Sequence, residues 1–462
     1  MAYSASAAPL IWVELNWFNI APCARGAVDG VVIRVVNRAV YVVGDFEPGV
    51  LLTASNGSRL LVVSRRRELL PEYVEMLRVA EALADVRSTS LCRALLVGGE
   101  APRPGDAVRP YEWPSGRGVY SPEGPVDLLR YSVTPHLSAV GMTGAGKTTL
   151  VKLLVEEAVK RGLRVVIFDV HGEYGDLAQR LGGYVGPPIL PLCELTDQEL
   201  LAVTGLLRVQ SPIRMMRYLR FFVKAFCAMA DKVGIQDIYA ALQKAAETML
   251  MLDVVNPSVK TLDGRDSLTA EFANALKEVA GGVLYNALKE MARRDEERVA
   301  AAVMYLLWAA SASHATLRGG DVPQLYVVNL FDPSQLFMTS DVAIGVMSYM
   351  VRKMVERGQE AILVVEEAAK LMADEAMSRV IFLALAQTRK FSVRMVLVSQ
   401  RPGEYVANTR IVAGRVRNSS WARELASIAP QMPTDVARLL PQLRRGEFIY
   451  IDDDVVPIRV SP

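Results

Sequence analysis

The stretch Gly141-Met-Thr-Gly-Ala-Gly-Lys-Thr-Thr149 decides how this chain is organised. It follows the short apolar run His136-Leu-Ser-Ala-Val140 and opens into Leu150-Val-Lys-Leu-Leu-Val-Glu-Glu-Ala-Val159, which has helical periodicity. A strand, a glycine-rich loop and a helix in this order are the context that a G-x-x-x-x-G-K-S/T match requires. The stretch therefore predicts a loop whose backbone N–H groups surround nucleotide phosphates, with a helix N-terminus facing the same anion.

Each position of this loop has an expected role. Lys147 is expected to reach the β- and γ-phosphates, and the hydroxyl of Thr148 to complete a Mg²⁺ site. ATP and Mg²⁺ are therefore the predicted cofactors. Further contacts with the phosphates are expected from Gly141, Thr143, Gly144, Ala145, Gly146 and Thr149.

A second apolar strand ends in polar residues. The run from Arg161 to Phe168 leads into Asp169-Val-His-Gly-Glu-Tyr174. Strand, helix and strand in succession predict a right-handed parallel βαβ unit, and the carboxyl ends of such strands lie at the ligand edge of the sheet. Asp169 and His171 are therefore candidate nucleotide-binding residues. A turn-capping role for Asp169 is an alternative that the sequence leaves open.

Two later strands complete the predicted site. Glu360-Ala-Ile-Leu-Val-Val-Glu-Glu-Ala-Ala369 places two acids after an apolar strand, so Glu366 is the candidate Mg²⁺ ligand and Glu367 the candidate general base. The strand from Phe391 to Ser399 ends beside Gln400, which is placed to contact the γ-phosphate or the attacking water. We expect the catalytic acid to come from a strand adjacent to the one that carries the phosphate loop.

The remaining chain falls into regions of different character. Short β-branched runs before residue 110 predict a small barrel or sandwich, and a stretch rich in Pro and Gly follows them. Strand signals almost vanish between about 194 and 316, which favours a helical insertion. The predicted domains are a β-barrel-like domain at 1–110, a first core part at 111–190, a helical bundle insertion at 191–320, and a second core part with a closing hairpin at 321–462.

Composition narrows the class of protein further. The chain has 462 residues, 51% of them hydrophobic and 22% charged, which predicts a folded and soluble protein. A formal net charge of +2 makes no general case for nucleic-acid binding, so any basic surface must be local. No signal peptide or bilayer-spanning run is predicted, and we expect a cytoplasmic protein without a membrane partner. The four cysteines, separated and without a C-x-x-C pair, predict small buried residues rather than a zinc site or disulfides: Cys23, Cys92, Cys193 and Cys227.

Several motifs agree in order and spacing with one known family. The chain resembles the HerA-type DNA translocases, in the HerA/FtsK branch of RecA-like ATPases, over about residues 125–190 and 320–460. The family's Asp-Glu-Ala-His is replaced here by Glu366-Glu-Ala-Ala369. The resemblance is carried by His136 with Gly141–Thr149, Asp169–Tyr174, Glu366–Glu367, Thr388–Phe391, Ser399–Pro402, and Gly446-Glu-Phe-Ile with Pro457.

The resemblance implies an α/β fold, with a RecA-like P-loop ATPase core, an N-terminal small β-barrel and a helical-bundle insertion. It also implies a homo-hexameric ring that threads double-stranded DNA and works with a NurA-type nuclease in DNA end resection and recombinational repair. By the same resemblance, Arg389 is the candidate arginine finger toward a neighbouring subunit. Two other functions stay open, namely a motor for DNA packaging or conjugation and a ring-forming, nucleotide-dependent clamp with vestigial hydrolysis.

Overall fold

The chain is described by a computed structural model that covers residues 29–66, 90–130, 134–206, 313–320, 323–330, 336–373, 375–388, 392–429 and 433–462. Short helical pieces are also described between residues 216 and 230 and between residues 306 and 311. The chain divides into two units, Met1–Pro114 and Ser115–Pro462. The sequence also predicts a helix from Glu72 to Asp85, and this helix and most of the predicted helical insertion lie outside the described residues.

Alternating apolar residues close the first unit into a six-stranded antiparallel barrel. The barrel has the strand order β1-β2-β5-β4-β3-β6. Its strands are β1 (Gly30–Val36), β2 (Ala39–Gly44), β3 (Leu51–Ala54), β4 (Arg59–Arg66), β5 (Leu91–Gly98) and β6 (Ala107–Pro110). Residues of one face of each strand fill the interior, including the fully buried Val32, Val42, Leu52 and Val62. The predicted small β domain is therefore a barrel and not a sandwich, because the first and last strands of the order pair with each other.

The second unit is built on an eleven-stranded mixed sheet. Its order is β11-β14-β10-β15-β16-β9-β17-β18-β19-β7-β8. The seven strands from β11 to β17 in this order run parallel, and the others pair antiparallel. The strands are β7 (Gly118–Ser121), β8 (Gly124–Pro125), β9 (Leu137–Val140), β10 (Arg164–Asp169), β11 (Tyr184–Gly186), β14 (Leu325–Asn329), β15 (Ala361–Val365), β16 (Val393–Ser399), β17 (Arg410–Ala413), β18 (Glu447–Ile451) and β19 (Val455–Ser461), with β12 (Ile189–Pro191) and β13 (His314–Thr316) in a separate parallel pair. Central strands are buried over almost their whole length, as expected for a parallel sheet covered on both faces.

The described helices of this unit alternate with its parallel strands. They are α1 (Lys147–Lys160), α2 (Gly175–Arg180), α3 (Asp197–Val203), α4 (Leu336–Glu356), α5 (Ala368–Leu371), α6 (Glu375–Thr388), α7 (Ser419–Ser427) and α8 (Pro433–Leu439). A capping box at the start of α3, formed by Thr196 and Glu199, satisfies backbone groups that the helix leaves free. The closing hairpin predicted near the C-terminus is the antiparallel pair β18–β19.

The strand order corrects one prediction about the site. Strand β16 pairs with both β9 and β15, so it lies between the strand that precedes the phosphate loop and the strand that precedes the two acids. The prediction that the catalytic acid comes from an adjacent strand is therefore wrong. The crossover connections set the order of parallel strands, and the sequence pattern alone does not give that order.

The cysteines give a second correction. Cys193, just after β12, forms a disulfide with Cys227 in a helical piece of the predicted insertion, with their Cα atoms 5.7 Å apart. Cys92 is buried inside the barrel as a free thiol, as predicted, and Cys23 lies outside the described residues. The two bonded cysteines are separated by 34 positions and share no sequence pattern, so only the fold brings them together.

None of the helices in the described part of the chain is both long and apolar enough to cross a lipid bilayer.

Candidate functional site

The glycine-rich loop joins the middle of the parallel sheet to helix α1. Strand β9 lies between β16 and β17, and α1 begins at Lys147 directly after the loop. Gly144 and Gly146 have φ angles of 81° and 105°, a left-handed conformation that other residues rarely adopt. These two glycines form a tight turn. The free backbone N–H groups of the first helical turn follow directly after it.

Two other loops form backbone hydrogen bonds with the glycine-rich loop. The N–H of Met142 donates to the carbonyl of Arg415 at 2.8 Å, and the N–H of Gly446 donates to the carbonyl of Ala145 at 2.9 Å. A Cβ atom placed on Gly146 would lie 3.3 Å from the backbone nitrogen of Gly446. The loop conformation therefore depends on backbone atoms from the segments after β17 and before β18.

Lys147 is buried beneath the loop. Its Nζ donates to the carbonyl oxygens of Gly141 at 2.6 Å and Met142 at 3.2 Å. Burial lowers the pKa of the Lys147 ammonium, and three nearby carboxylates partly offset this effect. Those carboxylates belong to Glu367, Glu366 and Glu173. The site therefore combines one ammonium with three acids.

The threonines of the loop differ in their surroundings. Thr148, in the first turn of α1, donates its hydroxyl hydrogen to Oε2 of Glu173 at 2.7 Å. Thr143 is exposed on the loop, Thr149 is half-buried in the first helical turn, and Ala145 is buried. The Thr148 hydroxyl, which is predicted to bind the metal, therefore contacts the carboxylate of Glu173, which was not among the predicted site residues.

Asp169 organises the loop that follows β10. Its Oδ1 accepts backbone hydrogen bonds from His171, Gly172 and Glu173, and its Oδ2 accepts one from Tyr174, at distances between 2.8 and 3.3 Å. Asp169 is only 1% exposed. These contacts correspond to the turn-capping alternative, and they fix the positions of the residues that follow.

Glu366 lies just past the end of β15 and is almost fully buried. Its Oε1 accepts a hydrogen bond from the Tyr174 hydroxyl at 2.7 Å, while its Oε2 has no hydrogen-bond partner in the described part of the chain. Burial raises the pKa of Glu366 to about 7; repulsion from Asp169 and Glu173 adds to the rise, and the hydrogen bond from Tyr174 opposes it. The second carboxylate oxygen is therefore a desolvated acceptor without a donor.

Glu367 is held at the turn between β15 and α5. Its backbone is left-handed, with φ of 50°, which is uncommon outside glycine and typical of strained functional positions. Its Oε1 accepts a hydrogen bond from Gln400 Nε2 at 3.0 Å and lies 3.4 Å from His171 Nε2. The fold thus brings together three predicted site residues from three different strand ends.

His136 connects elements around the site. Its Nδ1 accepts the backbone N–H of Met395 in β16 at 3.1 Å, so its Nε2 carries the hydrogen that is donated to the carbonyl of Leu385 in α6 at 2.9 Å. The buried ring therefore joins the start of β9 to the neighbouring strand and to the helix that precedes Arg389. Arg389 itself lies outside the described residues.

Two residues that contact predicted site residues were not themselves predicted. Glu173 contacts Thr148, and Tyr174 contacts Glu366. Both belong to the quoted segment Asp169–Tyr174, and that segment was the available signal. Their partners are distant in sequence, so the specific contacts were not predictable from the motif.

The fold and the site define a RecA-like P-loop protein, because the phosphate loop and the acids lie at the same edge of a parallel sheet with one strand between them. Residues 121–305 match the family model described as the central domain of helicase HerA. Over these residues, which are under half of the chain, the sequence is similar to that HerA central domain. The match includes the phosphate loop and ends before the two acids and Gln400.

One curated relative is a protein of Methanocaldococcus jannaschii described as "Probable helicase MJ1565". It is 21% identical over an alignment of 346 positions, which covers 68% of this chain. The chain spans 60% of the length of that relative.

Solved structures give weaker likenesses. VirB4 of Thermoanaerobacter pseudethanolicus has 18% identity and a TM-score of 0.44, and covers 76% of this chain and 98% of its own. Plasmid coupling protein TrwB in complex with ADP and Mg²⁺ has 14% identity and a TM-score of 0.45, and covers 71% of this chain and 86% of its own. These superpositions are partial, and the fold assignment rests on the strand order and the phosphate loop.

Proposed function

We propose that this chain hydrolyses ATP to translocate double-stranded DNA, and that it acts in DNA end processing and recombinational repair. The observation that carries the proposal is the position of the Glu367 carboxylate, 3.0 Å from Gln400 and 3.4 Å from His171, on the sheet edge that also holds the phosphate loop. A carboxylate oriented by a neighbouring amide can act as a general base toward an attacking water molecule. The HerA central-domain match supports the same function.

The residues around the loop fit a magnesium nucleotide. The left-handed glycines and the first turn of α1 offer backbone N–H groups to phosphates, and Lys147 lies beneath the same loop. The Thr148 hydroxyl and the unpartnered Oε2 of Glu366 are oxygen donors of the kind that Mg²⁺ prefers. When bound, Mg²⁺ would neutralise negative charge on the phosphates.

The protein's own groups then have distinct roles. Glu367 accepts the proton of the attacking water, and Gln400 orients that carboxylate through its side-chain amide. Lys147 stabilises negative charge on the phosphates from beneath the loop. Arg389, which directly follows the last residue of α6, is proposed to reach the site of a neighbouring copy in a homo-hexamer.

The partners follow from the family resemblance and not from the charge of the chain. A formal net charge of +2 requires that DNA be contacted by a local surface. We propose double-stranded DNA as the cargo, a NurA-type nuclease as the protein partner and the cytoplasm as the location. The chain spans 60% of the length of the curated relative, so the partners named here are proposals and not properties taken from that relative.

The test is ATP hydrolysis by the full chain with and without double-stranded DNA. We expect DNA to stimulate hydrolysis, and we expect Glu367→Gln to lower kcat about 10²- to 10⁴-fold while nucleotide binding persists. Glu123→Gln, in the exposed turn between β7 and β8, is the matched control and is expected to retain wild-type turnover.

Three results would change the proposed function. Hydrolysis that is indifferent to DNA contradicts a translocase. Rings that bind ATP without turnover support the clamp. Co-purification with a capsid or envelope protein, in place of a nuclease, supports a packaging motor.

A further inference from the structure

Glu173 lies against the hydroxyl that is expected to bind the metal. The Thr148 Oγ1 and Glu173 Oε2 atoms are 2.7 Å apart. Ligand oxygens in an octahedral Mg²⁺ shell lie about 2.0 to 2.1 Å from the ion, which puts neighbouring oxygens about 2.9 Å from each other. The observed separation is that of an ordinary hydroxyl-to-carboxylate hydrogen bond, and it also allows the two oxygens to share one hard cation.

A second observation concerns Glu366, which lies close enough to Glu173 for the two carboxylates to repel each other. This residue is only 4% exposed, and its Oε2 has no hydrogen-bond partner among the described residues. Buried carboxylate oxygens are normally paired, and a bound ion is one of the groups that satisfies such an oxygen. Tyr174 holds the other oxygen, Oε1, at 2.7 Å.

One short segment positions both carboxylates. Asp169 accepts backbone hydrogen bonds from all four residues between His171 and Tyr174. The same segment therefore presents Glu173 to Thr148 and presents the Tyr174 hydroxyl to Glu366. Glu173, Glu366 and Glu367 all act electrostatically on the Lys147 ammonium, so the three carboxyl groups lie near the same point of the site.

We propose that Glu173 is a ligand of the divalent cation beside Thr148. Glu366, which accepts a hydrogen bond from Tyr174, contributes to the outer coordination sphere of the same cation. The inference rests on the proposed nucleotide-binding function. It assigns to the Asp169–Tyr174 segment a metal-binding role that was expected only of Thr148 and Glu366. The cation is a hard divalent ion such as Mg²⁺ or Mn²⁺.

The test measures Mn²⁺ binding to the full chain with ADP, by electron paramagnetic resonance of free Mn²⁺. In Glu173→Gln the side chain keeps an acceptor for Thr148 but loses its charge. We expect the Kd for Mn²⁺ to rise about 10- to 100-fold, with ADP affinity in EDTA unchanged. Asp176→Asn removes one exposed charge from the first turn of α2 and is expected to leave Mn²⁺ affinity unchanged.

Each outcome decides a different point. Unchanged Mn²⁺ affinity in a folded Glu173→Gln, or an equal loss in Asp176→Asn, overturns the assignment of Glu173 and leaves the ATPase proposal standing. Wild-type protein that binds no ADP overturns the proposed function and this inference with it. Glu173→Asp keeps the charge on a shorter side chain, and an affinity between those of wild type and Glu173→Gln supports direct ligation.

Discussion

Replacing Tyr174 by Phe removes one hydrogen bond from a buried carboxylate and keeps the ring. Tyr174 is fully buried, and its hydroxyl donates to Glu366 Oε1 at 2.7 Å. Glu366 Oε2 already has no partner in the described part of the chain. In Tyr174→Phe, Glu366 therefore loses the hydrogen bond that most favours its ionised form.

The effect depends on pH with a definite sign. Burial first, then repulsion from Asp169 and Glu173, raises the pKa of Glu366 from 4.5 to about 7 in the folded protein. Because the folded protein binds this proton more tightly than the unfolded chain, the free energy of unfolding falls as pH rises from 4.5 to 7. At 1.36 kcal/mol per pKa unit, this loss is about 3 kcal/mol in the wild type.

Tyr174→Phe makes the decrease in the free energy of unfolding with rising pH larger. A hydrogen bond to an ionised group contributes about 1.5 to 3 kcal/mol, and one to a neutral group about 1 kcal/mol. We expect Tyr174→Phe to lower the free energy of unfolding by about 1 kcal/mol at pH 5.5, where Glu366 is protonated. At pH 8.5, where Glu366 is ionised, we expect a decrease of about 2 kcal/mol or more.

The assay is urea denaturation at both pH values, in EDTA and without nucleotide. Tyr326→Phe is the matched control, because Tyr326 is fully buried and, among the residues that the structure describes, its hydroxyl bonds only the carbonyl of Pro187 and the N–H of Ile189. Its loss should be the same at the two pH values. An equally pH-independent loss in Tyr174→Phe would refute the reasoning.

Two other changes test packing around helix α4 and the predicted insertion. Arg352→Met removes the guanidinium that bonds both oxygens of Glu199, a side chain that is 3% exposed, so we expect a loss of about 3 kcal/mol in urea denaturation. Arg379→Met, in an exposed pair, should be indistinguishable from wild type, and equal losses in both would contradict this account. Cys193→Ser opens the bond to Cys227 across 34 positions, and loop-closure entropy gives a loss of about 4 kcal/mol. Reductant should lower the thermal midpoint of the wild type but not of the variant, and a wild type insensitive to reductant would be contrary to expectation.

The phosphate loop was the part of the site that the sequence predicted best. Gly144 and Gly146 adopt left-handed angles, and α1 begins directly after them. The contacts that shape this turn are made within a few residues of the chain, so the pattern carries the information. The supporting contacts of the loop with Arg415 and Gly446 come from distant segments and were not predicted.

The sequence identified the two acids Glu366 and Glu367, but it did not predict their backbone conformation or their contacts. Glu366 and Glu367 were selected from their position after an apolar strand. Nothing in the sequence indicated the left-handed turn at Glu367 or the bond between Tyr174 and Glu366. The strand from Phe391 to Ser399 was predicted, but its position between the phosphate-loop strand and the acid-bearing strand was not.

By itself, the sequence determined the strand, loop and helix of the phosphate site, the apolar strands of the sheet, and the residue types at their ends. These features follow from backbone sterics and side-chain periodicity, which act over short stretches of chain. Only the tertiary structure decided the strand order, the pairing of Cys193 with Cys227, and the approach of His171 to Glu367 across 196 positions. Contacts over such separations depend on how crossovers and packing arrange whole elements, and local residue patterns do not encode that arrangement directly.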